Sequence, residues 1–104
     1  MAISPDLLYI ASMLDDADEK MASNRMDEAL SVTERLDHRF QGQSAWLSIF
    51  MYHSEVNEVA YDLAKMRRYA QTGDVEEFLA TSAKAKREIQ DIKDSKTLKW
   101  ENVF

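Results

Sequence analysis

SAWLSIFMYHSEVNEVAYDLAKMRRYA, Ser44 to Ala70, contains no Gly or Pro and is the most apolar part of the chain. Read as one helix, it is about 40 Å long at roughly 1.5 Å per residue. Ala45, Ile49, Tyr52, Val56, Val59, Leu63, Met66 and Ala70 form an unbroken apolar line at heptad spacing. A second, mixed line runs beside it through Trp46, Phe50, His53, Asn57, Ala60, Ala64 and Arg67. Glu55, Glu58, Asp62 and Lys65 fall on the far side and read as solvated. The first turns differ, because Ala45 to Tyr52 is apolar on nearly every side except at Ser48. Such a segment is either surrounded by core or covered by a partner.

The flanking segments read as shorter helices that need this surface to bury their own. Ser4-Pro5-Asp6 is a helix start, with Ser as N-cap, Pro at the first helical position and an acid in the first turn. Leu7, Ile10, Leu14, Ala17 and Met21 follow at 3-4 spacing, joined by Ala11 and Met13, up to Ser23-Asn24. A second helix has Met26, Ala29, Leu30, Thr33, Leu36 and Phe40 on its inner face, and Gln41-Gly42-Gln43 is expected to break it. Thr72-Gly73 ends the third. Asp74 caps the fourth, with Glu77 three residues on, and its face carries Val75, Phe78, Leu79, Ser82, Ala85, Ile89 and Ile92. Helices are thus expected over about 5–22, 26–41, 44–71 and 74–93. The ending KTLKWENVF is too apolar for a free end and is expected to pack back as an ordered tail.

An internal repeat links the two halves. At an offset of 49, Asn24-Arg-Met-Asp-Glu-Ala-Leu overlays Gly73-Asp-Val-Glu-Glu-Phe-Leu, and Leu7, Ile10, Leu14 and Met21 fall on Val56, Val59, Leu63 and Ala70. The predicted fold is therefore all-α, an antiparallel four-helix bundle made of two helical hairpins. Composition agrees. At 104 residues the chain has room for one domain, 1–104, and its two Gly and one Pro favour long helices with tight connections.

The net charge of −6 argues against nucleic acid, which needs a basic surface. Charge is uneven: residues 1–63 hold twelve acids and four bases, and residues 64–104 hold seven acids and nine bases. The acidic helices are expected to lie beside the basic ones. No run of apolar residues approaches the 18 or so that a membrane helix needs.

Catalytic residue types are few. Zero Cys removes disulfides, thiol nucleophiles and thiolate metal sites together. Gly42 and Gly73 stand alone, so no Gly-rich phosphate loop forms, and neither His38 nor His53 has a Glu three positions before it, as di-iron bundles require. No metal, cofactor or enzyme activity is expected. His53 lies one turn from Asn57, with Arg67 farther along the same line, and these three are read as a buried polar cluster that fixes helix register. The competing reading of the cluster is a pH-sensitive or ligand-contacting site. Asp15, Asp16, Asp18 and Glu19 read as a solvated face rather than a cation site. Trp46, Leu47, Phe50 and Met51 are the candidate interaction surface, since aromatic residues and Met are favoured at interfaces, including that of a homodimer.

MYHSEVNEVAYDLAKMRRYAQTGDVEEFLA and the ending TLKWENVF carry a family resemblance, most specifically in His53-Ser54-Glu55 and Glu101-Asn102-Val103-Phe104. The first resembles an apolar stretch, a His and an acid two residues later, followed by helix and an acidic turn. The second is similar to a leucine-x-x-glutamate-asparagine-isoleucine/valine-phenylalanine terminus. The family is the bacterial domain of unknown function 4363. The resemblance implies a single N-terminal membrane anchor, absent from this sequence, ahead of a helical domain outside the cytoplasm. It implies no reaction, ligand or established partner. The expected function is a non-enzymatic interaction module, the extracytoplasmic part of a single-pass membrane protein. The alternatives are a soluble cytoplasmic tetratricopeptide-like adaptor, or a small-molecule or metal sensor centred on His53.

Overall fold

The computed structural model describes residues 7–50 and 53–94, and the side chains of all of these except 44–50, 53 and 54. Four helices account for nearly all of it: α1 (Leu7–Ala22), α2 (Met26–Phe50), α3 (His53–Thr72) and α4 (Val75–Asp94). α1 packs on α2, α2 on α3, α3 on α4 and α4 on α1, so each helix has two neighbours and the core lies among the four. The expected helix start at Ser4-Pro5-Asp6 and the expected ordered tail lie outside the described residues.

The predicted inner faces are inside. Leu7, Ile10, Leu14, Ala17 and Met21 of α1 are buried, as are Val56, Val59, Leu63, Met66 and Ala70 of α3. α2 contributes Ala29, Val32, Leu36 and Phe40, and α4 contributes Phe78, Ala85, Ile89 and Ile92. Across the 49-residue offset, Ala17 stands where α3 has Met66, Met21 where it has Ala70, and Ala29 where α4 has Phe78. A small side chain in one half corresponds to a large one at the matching position of the other.

The two turns share a left-handed residue and a closing hydrogen bond. Asn24 has φ 63° and Gly73 has φ 75°, the left-handed conformation that closes a helix. Arg25 N donates to Lys20 O at 2.8 Å, and Asp74 N donates to Tyr69 O at 2.9 Å, partners that are again 49 residues apart. Each bond ties the residue after the left-handed one to a carbonyl that would otherwise be orphaned. Asp74 then caps α4, accepting from Glu77 N at 3.2 Å.

One expected boundary is wrong. Gln41-Gly42-Gln43 does not break a helix, because α2 runs 25 residues from Met26 through Gly42 to Phe50. Ser44–Ala70 is therefore not one helix: its first residues end α2, and α3 begins at His53. Gly42 has no positive φ, and a Cβ built there would meet nothing within 4 Å. A lone Gly in a helix interior is only about 1 kcal/mol worse than Ala, too little to stop a helix otherwise supported by packing. Asp62, read as solvated, is also corrected: it is fully buried at the α3/α4 seam.

Candidate functional site

Charged side chains organise three interhelical seams. Between α4 and α1, Lys86 Nζ lies 2.8 Å from Asp15 Oδ1 and 2.9 Å from Asp18 Oδ2. The neighbouring carboxylates, Asp15 foremost, raise the Lys86 pKa against the opposing effect of burial. Between α2 and α3, Arg67 Nη1 lies 3.5 Å from Asp37 Oδ2, with Asp37 buried.

The densest group lies between α3 and α4. Lys84 Nζ is 2.7 Å from Glu88 Oε2, 3.0 Å from Glu58 Oε1 and 3.1 Å from Asp62 Oδ1. Lys65 approaches Asp62 at 3.8 Å. Glu58, Asp62 and Glu88 each offer an oxygen within 4.8 Å of the others, and the Lys84 ammonium bonds to all three. These bonds, with Glu88 first, hold the Lys84 pKa above the ordinary lysine value. Burial, reinforced by a hydrogen bond with Asp62, raises Glu88 to about 7. A narrow cleft of about 110 Å³ beside the group is lined by Glu55, Glu58, Glu88, Asp91 and Ile92.

The first helix pair is built differently at the same place. Moved 49 residues back, Glu58, Asp62, Lys84 and Glu88 become Tyr9, Met13, Arg35 and Arg39. The cation of Lys84 is kept as Arg35, and all three carboxylates are gone. Instead, an open groove of about 500 Å³ is lined by Tyr9, Met13, Ser31, Glu34, Arg35, His38 and Arg39. The Arg39 guanidinium lies 4.4 Å from the centre of the Tyr9 ring, a cation–π contact joining α1 to α2. Tyr9 is 47% exposed and Leu8 beside it is 71% exposed.

The residues singled out from the sequence are distributed otherwise. Trp46, Leu47 and Phe50 are on the last turns of α2, and their side chains lie outside the description, as does Met51. His53 opens α3, with its side chain likewise outside the description. Asn57 is exposed, and Arg67 is turned to Asp37 of α2. Asn57 and Arg67 are ten residues apart on α3, about 15 Å by helix rise, so they do not form a buried polar cluster. The groove of Tyr9, Arg35 and Arg39 has no motif and was missed. The repeat could have revealed it, because the same offset that matches the cores also pairs these residues with Glu58, Lys84 and Glu88.

The described chain is thus an all-helical domain of two related helix pairs, one sealed by its own ion pairs and the other carrying an open groove lined by two arginines. Among its described residues, no helix is long and apolar enough to cross a membrane. Residues 4–103 match the family described as Domain of unknown function (DUF4363), and the chain belongs to that family. No curated protein and no solved structure matches it.

Proposed function

We propose that this domain is a non-enzymatic interaction module, folded as an antiparallel bundle of two helical hairpins and carried on the outer face of a membrane by a single-pass anchor. One observation carries the reading. The α1/α2 groove is open where the equivalent place on α3/α4 is occupied by the protein's own charged side chains. Its Tyr, Met and Arg residues are the types that anchor protein interfaces. The absence of Cys and the small number of His in the sequence favour binding over catalysis. The apolar end of α2, with Trp46, Leu47 and Phe50, is a second candidate contact on the same helix.

The test is recovery of a defined partner from native membranes by the full chain, compared with Tyr9→Ala/Arg35→Glu. The double variant is expected to melt like the parent and lose the partner. Undiminished recovery by the variant sinks the groove reading. Protection of the domain from protease added outside intact cells, or its release from membranes by alkaline carbonate, would remove the anchored placement.

A further inference from the structure

The paired construction of the domain allows one half to define what the other lacks. In the second helix pair, the cation at position 84 is satisfied by carboxylates from three positions, two on the facing helix and one a turn along its own. In the first pair the cation survives as Arg35, but those positions hold Tyr9, Met13 and Arg39. Arg35 is exposed and bonds to no carboxylate among the described residues. Among the described lining residues, Arg35 and Arg39 stand against one acid, Glu34, with Arg39 over the Tyr9 ring. An exposed Arg35 with no described carboxylate on it is a local departure from the sign of a chain of net charge −6. The groove's volume falls within the roughly 300–1,000 Å³ range of sites that take a ligand.

We propose that the α1/α2 groove binds an acidic segment of a partner protein, whose carboxylates take the places around Arg35 that Glu58, Asp62 and Glu88 take around Lys84. The inference rests on the interaction-module reading of the same groove and adds the chemistry of the partner. Arg35 supplies a planar fork suited to a carboxylate. Tyr9 and Met13 offer apolar surface to the stem of the bound segment. The same surface disfavours a small free anion, which would leave that surface wet.

The experiment uses a fluorescein-labelled octaglutamate peptide, an octalysine peptide of equal length and inorganic phosphate. Binding to the full chain is followed by fluorescence anisotropy and by competition. Octaglutamate is expected to bind saturably, octalysine not to bind there, and phosphate to compete only weakly. Arg35→Glu should weaken octaglutamate by about ten-fold or more. Arg87→Glu, which changes an exposed cation at the position equivalent to His38, should leave it unchanged. Rising salt should weaken it steadily, as for exposed charges. No octaglutamate binding, equal losses in both variants, or phosphate as effective as the peptide each overturns the proposal. Membrane recovery that depends on Arg35 while octaglutamate fails would remove only the acidic partner. Octaglutamate binding with membrane recovery indifferent to Arg35 would remove the groove as the module's working surface.

Discussion

Asp37 on α2 and Arg67 on α3 pair across one seam at 3.5 Å, and they are the sign-reversed counterparts of Lys86 and Asp18, which pair across the opposite seam at 2.9 Å. Adding 49 carries Asp37 to Lys86 and Asp18 to Arg67. The two halves therefore keep one ion pair at each equivalent seam and exchange the charges. Opposite assignments bar each helix from its sister's place, since a misregistered pairing would set acid against acid. The exchange gives a test. Asp37→Lys alone puts a cation in a buried site beside Arg67 and should destabilise by about 1–3 kcal/mol. Asp37→Lys with Arg67→Asp transplants the other seam's arrangement and should recover most of that. A double-mutant cycle from urea melts measures it, and a coupling energy near zero would mean the seams are not equivalent.

Gly42 decides whether α2 is continuous. In a helix interior with open space around its Cα, Gly42→Ala should stabilise by about 1 kcal/mol. For a domain of this size that is about 4–8 °C in Tm. An unchanged or lower Tm would place the helix end near Gln41 after all.

Most of the core was legible because its signal is local periodicity: of the α1 and α3 residues expected inside at described positions, all but the half-buried Ala11 are buried. The α2/α3 junction was not legible, because it falls after Phe50 with neither Gly nor Pro to mark it, while a prominent Gly42 lies inside a helix. The repeat held the missing information. Position 53 is 49 beyond Ser4, the expected start of the first helix, so a helix start at His53 follows from the duplication and not from local residues. Asp62 misled for a similar reason. Its charge suggests solvent, yet the offset sets it on Met13, a core position. The groove at Arg35 exists only as a contrast between the halves, which no single motif encodes.

Asp62 and Lys84 should respond unequally to removal. Lys84→Met leaves Glu58, Asp62 and Glu88 facing one another with Asp62 fully buried, and should lower stability clearly. Asp62→Met installs the residue that the first helix pair has there and leaves Lys84 with Glu58 and Glu88, so it should be neutral or stabilising. Chemical melts of the two variants at neutral pH read the difference. Equal losses would show that Asp62 contributes as much as the lysine it serves.

Glu88 sets a pH dependence with a defined sign. Its pKa is about 7 in the fold, above the 4.5 of an unperturbed glutamate, because burial and Asp62 disfavour its charged form. The folded state therefore holds a proton that the unfolded chain has released between about 4.5 and 7. Binding more protons when folded means that stability falls as pH rises through that window and levels off above it. The groups facing Glu88 are Glu58 and Asp62 on α3, the latter also approached by Lys65, and Lys84 on its own helix, with Glu55 and Asp91 lining the adjoining cleft. Lys84, whose raised pKa acts only above the ordinary lysine range, contributes no slope there. Glu88→Gln keeps an oxygen acceptor for Lys84 and removes the titration. The wild type should lose several degrees of Tm from pH 5 to pH 8 relative to Glu88→Gln, and the variant should melt at or above the wild type at pH 8. Melts in parallel buffers check both expectations, and identical pH profiles for the two proteins would rule out Glu88 as the titrating group.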